Sequence, residues 1–351
     1  MKKFDQSKPI LVTGATGYVA GRLVEKLLSE GHTVNAAVRD PENKEKTKYL
    51  DALASKLPGS INYFKADLLQ ESSYDEAMKG CQIVFHTASP FTRNVKDAQK
   101  DLVDPAKMGT RNVLASANRT DSVERVVVTS SCAAIYGDAK DTLAMPNQEL
   151  TEEHWNTTSS LTHQPYSYSK VEAEKEAWKI AGEQNRWDLV TVNPSFVLGP
   201  GINPYGTSES FTIMKQMGKG DLKMGAPNMN MACVDVRDLA IAHYKAGITP
   251  SAKGRYIASG ENSSIPKLAK IIKDKYPQYA ISNRVLPKWL IWLMAPAIGM
   301  SRKEVSLNIG YPFKANNSKG INELGLTYRP LSETLTEFFN QLVEAGEIKK
   351  R

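Results

Sequence analysis

The residues of this chain best placed to do chemistry are a tyrosine and a lysine one helical turn apart. In Tyr166-Ser-Tyr-Ser-Lys170, just after Pro165, helical i, i+4 spacing puts Tyr166 and Lys170 on one face, about 6 Å apart at Cβ. An ammonium one turn from a phenol favours the phenolate, so the pair could pass a proton to a carbonyl oxygen and recover it. Tyr168 does not share that spacing. Upstream, Arg125-Val-Val-Val-Thr129-Ser130-Ser131 ends an apolar strand in hydroxyls, and Ser131 could donate to a substrate carbonyl and polarise it. Each feature also has a plain structural reading, since Tyr-x-x-x-Lys arises by chance and strand-end serines cap backbone groups. Their order and company favour chemistry.

That company is a glycine loop. Ile10-Leu-Val-Thr-Gly14-Ala-Thr-Gly17-Tyr-Val-Ala20 places glycines where an apolar strand turns into an amphipathic helix. Gly14 permits the tight turn, and Gly17 lets backbone N–H groups approach a pyrophosphate at the helix start. Ala20 takes the close-packing position. Gly14, Thr16, Gly17, Tyr18 and Val19 are the candidate contacts. The second strand, Thr33–Val38, ends in Arg39 and is followed by Lys44 and Lys46. Arg39 can grip a ribose 2′-phosphate bidentately and Lys44 or Lys46 can add charge, which predicts NADP(H) over NAD(H). Asp40 complicates this, because a carboxylate there could take the ribose hydroxyl instead.

These residues need a frame. Pro9–Val12, Thr33–Val38, Ile61–Ala66, Gln82–Thr87, Arg125–Thr129 and Leu189–Asn193 read as strands. Helical patterns at 17–29, 74–79, 102–117 and 168–183 lie between them. The alternation predicts an α/β, Rossmann-type doubly wound parallel sheet. After the turn cluster 199–206 the pattern changes. Residues 1–198, with 232–260 returning, are expected to form the dinucleotide-binding domain. Residues 199–231 and 261–351 would form a smaller discontinuous α/β substrate domain, with the substrate site in the cleft between. Position makes Phe91, Trp155, His163, Phe196, Tyr205 and Met214 the candidates for an apolar substrate wall, which suits an uncharged aldehyde or ketone.

Composition agrees with a globular enzyme: 351 residues, 41% hydrophobic and 24% charged. Three widely spaced cysteines suggest neither a disulfide framework nor zinc, and no histidine pair has metal spacing, so no metal is assigned. The N-terminus lacks the pattern of a signal peptide, and a cytoplasmic location is expected. The net charge of +7 sits at the two ends. No basic block alternates with aromatics, so nucleic acid is not an expected partner. The expected partner is a small carbonyl compound, the expected state a monomer or homodimer, and no membrane span is expected. The apolar run Leu286–Pro296 is read as a helix packed on the C-terminal domain, in preference to a membrane-surface face. His86 is expected in the core, and Asp238 as a cap or anchor.

The motifs together resemble an extended short-chain dehydrogenase/reductase. They are similar to the branch holding dihydroflavonol, cinnamoyl-CoA and methylglyoxal reductases. The likeness rests on Thr13-Gly-Ala-Thr-Gly-Tyr-Val, Val38-Arg-Asp-Pro, Ala66-Asp-Leu68, Val84-Phe-His-Thr-Ala-Ser-Pro90, Thr129-Ser-Ser131, Tyr166–Lys170 and Asn193–Pro200. It implies that Ser131, Tyr166 and Lys170 form a catalytic triad. It also implies that Asp67 and Leu68 lie by the adenine, Thr87, Ala88 and Ser89 by the inner ribose, and Pro194 to Val197 by the nicotinamide. Thr129 and Ser208 are further candidate cofactor contacts. The implied activity is NADPH-dependent reduction of an aldehyde or ketone, with Tyr166 as proton donor. A 3β-hydroxysteroid dehydrogenase-like enzyme is the nearest chemical alternative. A nucleotide-sugar epimerase or dehydratase is disfavoured because Val190-Thr-Val-Asn193-Pro lacks arginine. A non-catalytic NADP-sensing protein is disfavoured by the intact Tyr–Lys pair.

Overall fold

The structure, a computed structural model, describes residues 4–90 and 95–350. The first two-thirds of the chain alternate strand and helix: β1 (Ile10–Thr13), α1 (Tyr18–Ser29), β2 (Thr33–Val38), α2 (Lys44–Ala54), β3 (Ser60–Lys65), α3 (Asp75–Met78), β4 (Ile83–His86), α4 (Asp104–Arg119), β5 (Arg125–Thr129), α5 (Pro165–Gly182) and β6 (Asp188–Pro194). Later come β7 (Phe196–Leu198), α6 (Glu209–Lys219), β8 (Ala226–Pro227), β9 (Asn230–Asp235), α7 (Val236–Ile248), β10 (Gly254–Ala258), β11 (Glu261–Ser264) and α8 (Ile265–Lys275). The chain ends in β12 (Val285–Leu286), α9 (Lys288–Met294), α10 (Arg302–Asn308), α11 (Ser318–Leu324) and α12 (Leu331–Glu344).

Seven strands form one parallel sheet in the order β10-β6-β5-β4-β1-β2-β3. The chain reverses its direction of travel across the sheet between β1 and β4, the switch point at which ligands enter such sheets. Helices cover both faces, so β1 and β4 are buried throughout and read as apolar runs up to their last residues, Thr13 and His86. Under one face lies a core of Leu23, Val24, Leu27 and Leu28 from α1 with Leu239, Ala242 and Ala246 from α7. The other face is covered by Val113, Leu114 and Ala117 of α4 and Ala177 of α5. Burying each large side chain of this kind stabilises the fold by roughly 1.5–3 kcal/mol.

At the amino edge of the sheet, Arg125 is wholly buried and fans its guanidinium over the end of α7. It donates to the carbonyls of Ala246, Gly247, Thr249, Pro250 and Ala252. Ala246 and Gly247 belong to the last turn of α7, where carbonyls lack partners within the helix and the dipole favours a cation, and the others lie in its cap and the following loop.

Of the stretch 232–260, α7 and β10 pack on the central sheet, whereas β9 pairs with β7 and β11 in a separate three-stranded sheet. A second core gathers Phe211, Met214 and Met217 of α6, Leu268 and Ile272 of α8, and Phe338 and Phe339 of α12. The two cores are fastened together at α1. Tyr18 Oη donates to the Gly199 carbonyl at 2.6 Å, and Arg22 donates to the carbonyls of Pro200 and Gly201. Gln341 of α12 then grips Gly201 from its side-chain amide, Oε1 accepting from the Gly201 N–H at 2.9 Å and Nε2 donating to the Gly201 carbonyl at 2.7 Å.

The run expected to pack as a helix on the C-terminal part does so on one side only. Ile291 and Ala295 are buried, while Trp289, Trp292, Leu293 and Met294 stand exposed.

Candidate active site

The glycine loop is built as its sequence requires. Gly14 has φ +63°, and a Cβ there would meet Ala88 Cβ at 3.0 Å and its Cα at 3.2 Å. Only glycine lets this turn press against the segment after β4. Gly17 N–H closes the turn onto the Gly14 carbonyl at 2.8 Å, and Gly17 is the extended N-cap of α1. The N–H groups of Tyr18, Val19 and Ala20 thus begin a twelve-residue helix with no acceptor inside it. That cradle fits a dinucleotide pyrophosphate. Thr16 is half-buried beside it. The Tyr18 ring itself turns into the second core, edge-on to Phe211 and stacked on Phe338, so only its backbone faces the cradle. Ala20 is buried in the first core, and the tightest approach falls one residue later. A Cβ on Gly21 would lie 2.6 Å from Ile202 Cδ1.

Arg39, Lys44 and Lys46 are all exposed at the end of β2 and the start of α2. Asp40 Oδ1 accepts from Glu42 N–H at 3.1 Å, which engages that carboxylate within its own loop. Asp67 likewise caps locally, accepting from Leu69 N–H at 2.8 Å, and the Leu68 carbonyl is held by Asn112 at 2.7 Å. The two residues form a shelf at the carboxyl end of β3.

The catalytic candidates converge at the same edge. Lys170 Nζ donates to Ser89 Oγ at 2.7 Å and lies 5.4 Å from the centre of the Tyr166 ring. Tyr166 is 46% exposed, open to an incoming ligand. Below them, Thr87 Oγ1 donates to the Thr13 carbonyl, and Thr13 Oγ1 accepts from Ala88 N–H. Ser131 Oγ accepts from Ala133 N–H at 3.1 Å and the Ser131 carbonyl accepts from Asn193 Nδ2 at 3.1 Å. A hydroxyl that accepts one bond still has its proton to give, so Ser131 can donate to a carbonyl oxygen. Thr129 turns the other way, its hydroxyl 2.7 Å from His243 Nε2. His243 Nδ1 lies 2.8 Å from the Leu239 carbonyl, so it carries the ring proton and Nε2 accepts from Thr129.

Beneath the site is a polar hub that sequence reasoning missed. Glu174 of α5, one turn beyond Lys170, is buried and accepts from Ser130 Oγ, Asn193 Nδ2 at 2.8 Å, Thr191 Oγ1 and Trp178 Nε1. Arg255 of β10 donates to it through Nε at 2.7 Å and Nη2 at 3.3 Å. Arg255 also reaches the carbonyls of Glu152 and His154. The hub ties α5 to the ends of β5, β6 and β10, which fixes Tyr166 and Lys170 relative to Ser131. The signal was the i, i+4 continuation from Lys170 to Glu174, but on a helix a carboxylate reads as a solvated group.

Other expected residues are distributed unevenly. Trp155 is not brought to the cleft; it stacks on Arg255 at 4.0 Å, over the outer side of α5. His163, a candidate for the wall, is buried and pairs with Asp138 Oδ2 at 2.6 Å. Met214 lies wholly inside the second core rather than on a wall. Phe196 and Val197 are half-buried in β7 beyond Pro194, and Tyr205 is exposed in the following loop. Ser208 Oγ is buried with no hydrogen-bond partner among the described residues, an unmet donor that a bound group would satisfy. Phe91 lies outside the described residues. Asp238 anchors Arg329, while Asp235 caps α7. His86 is buried with its Nδ1 3.1 Å from Thr13 Oγ1, and burial holds its pKa down to about 4. Burial pushes the Cys132 thiol well up, so it is no nucleophile. Among the described residues no cluster of His, Cys, Asp or Glu could hold a metal ion.

Residues 10–257 match the NAD dependent epimerase/dehydratase family. The chain belongs to this family. Within it, the seven-stranded Rossmann-like sheet and the relatives place the chain among the extended short-chain dehydrogenases/reductases, and it is an oxidoreductase of that type. It is 36% identical to the anthocyanidin reductase of Arabidopsis thaliana over 91% of this chain and 92% of that one. It is 34% identical to a cinnamoyl-CoA reductase of Medicago truncatula over 95% of each chain. Among solved structures it is similar to the Gre2–NADPH complex from Candida albicans, at 29% identity and TM-score 0.79, covering 96% of this chain and 99% of that one. The NADPH complex of yeast Gre2, a methylglyoxal/isovaleraldehyde reductase, follows at 27% identity and TM-score 0.78, covering 97% of this chain and 100% of that one.

Proposed function

We propose that this protein reduces an uncharged aldehyde or ketone to the alcohol with NADPH. The observation that carries the reading is the placement of Tyr166 and Lys170 on one exposed helix face, with Lys170 on Ser89, at the sheet edge that also holds the glycine cradle. NADPH, when bound, supplies the hydride. The α1 N-terminus and Gly14 would receive its pyrophosphate, Arg39 its 2′-phosphate, and Ser89 with Lys170 the ribose next to the nicotinamide. Ser131 donates to the substrate oxygen and polarises the carbonyl. Tyr166 gives that oxygen its proton, and the Lys170 ammonium favours the negative charge left on the phenol. Epimerase chemistry on a sugar diphosphate finds no basic group on β6, whose Asn193 is committed to Glu174 and Ser131.

The test is Tyr166→Phe. NADPH binding, read by cofactor fluorescence, should persist, while turnover in a screen of aldehydes, diketones, aryl ketones and steroids falls by about 10²–10⁴. Turnover near that of the unmodified protein would end the proposal, and equal kcat/KM with NADH would end the assignment of Arg39.

A further inference from the structure

We propose that the outer face of α9 docks on a membrane surface bearing anionic lipid. After Lys288 at its start, α9 is apolar all round from Trp289 to Met294, a pattern that in a soluble fold belongs to a fully buried helix. Here only Ile291, with Ala295 after it, is covered, against Val305 and Ile309. Trp289 is 65% and Leu293 55% exposed, with Trp292, Met294, Val285 and Ile298 exposed around them. Single exposed hydrophobic residues are ordinary, but six within fourteen residues are a concentration of the kind that marks an interaction site.

Charge selects the occupant. Residues 284–303 contain Arg284, Lys288, Arg302 and Lys303 and no carboxylate, and all four cations are exposed. The first acid beyond them, Glu304, is turned back to cap α10 on Ser301. Arg302 lies over the Trp292 ring at 4.3 Å and Lys288 over Tyr311 at 4.6 Å, so the cations border the apolar patch directly. A second copy docking through the same patch would set these cations against their own counterparts. A bilayer interface suits the face. Tryptophan rings sit at headgroup level, Leu293 and Met294 enter the acyl boundary, and the cations extend to lipid phosphates. No described helix is long and apolar enough to cross a membrane, so the contact is a surface one. The face also adjoins the catalytic loops. Asn308 at the end of α10 bonds Asp138, the partner of His163 just before Tyr166.

The experiment is co-sedimentation of the full chain with phosphatidylcholine vesicles, with and without phosphatidylserine. Binding is expected to the mixed vesicles, to weaken with salt, and to shift tryptophan fluorescence to the blue. Trp289→Glu with Leu293→Glu, and separately Arg302→Glu with Lys303→Glu, should each weaken binding by about tenfold or more while turnover is kept. No binding to either vesicle overturns the proposal. So does a Trp289→Glu/Leu293→Glu chain that binds vesicles normally but turns from dimer to monomer in sedimentation velocity. Tighter binding to polyglutamate than to the vesicles overturns it in favour of an acidic polypeptide partner.

Discussion

Truncation of Glu174 to alanine should unfold the protein far more readily than its distance from substrate suggests. The side chain is 1% exposed and faces Arg255, itself buried, across 2.7 Å. Removing one member of a buried pair strands the other charge and costs about 3–5 kcal/mol. Ser130 and Asn193 lose their acceptor in the same step. With roughly 2–4 °C of melting temperature per kcal/mol, the midpoint should fall by about 6–20 °C. Because Asn193 also holds the Ser131 carbonyl, kcat should drop at temperatures where Glu174→Ala remains folded, with NADPH affinity little changed. Adding Arg255→Met removes the stranded cation and should restore at least about 1 kcal/mol. Equilibrium urea unfolding gives the energies and steady-state kinetics the kcat. The reasoning fails if Glu174→Ala stays within about 0.5 kcal/mol of the unmodified chain, or if the double variant is no more stable than the single one.

Three further outcomes follow from the same geometry. Burial holds His86 and His243 down to about 4, with the Lys170 charge adding to the effect at His86. The unfolded imidazoles bind protons below about 6.5, so stability is complete above that pH and is lost as pH falls toward 4, about 3 kcal/mol apiece. Urea midpoints measured between pH 7.5 and 4.5 should flatten in His243→Gln, and an unchanged slope would refute the assignment. Arg39→Ala should lower kcat/KM for NADPH by about 10–100-fold and leave NADH nearly untouched; equal losses with both would contradict it. Gly14→Ala forces a Cβ into Ala88 at φ +63° and should abolish NADPH binding in a fluorescence titration, whereas tight binding by that variant would refute the role of the turn.

The central sheet was legible because both its faces are covered. Strands such as Ile10–Thr13 and Ile83–His86 then have no polar position before their last residue to break the run. Tyr166, Lys170, Ser131 and the glycine loop were legible because each is a local pattern at a fixed place in a strand-helix unit. What escaped is non-local. Glu174 and Arg255 are 81 residues apart and Asp138 and Asn308 are 170 apart, and nothing in either neighbourhood marks its partner. His163 and Trp155 were misplaced for a related reason. Their loop reads as polar and open, yet it folds back so that His163 meets the buried carboxylate of Asp138, upstream in the same connection, and Trp155 meets the guanidinium of Arg255 on β10. The small sheet of β7, β9 and β11 was faint because its strands are three to six residues long and, in Asn230–Asp235 and Glu261–Ser264, carry polar residues even where they are buried.

The fastening at Tyr18 and Arg22 has a mechanical meaning. The helix that offers its N-terminus to the cofactor is bonded, through its own first two turns, to residues 199–201, and these are gripped in turn by Gln341. Any swing of one core against the other about α1 would therefore have to break these bonds first. The helix whose start forms the cradle is thus also the strut that joins the two cores, so a substitution at Tyr18 or Arg22 would be felt on both sides of it.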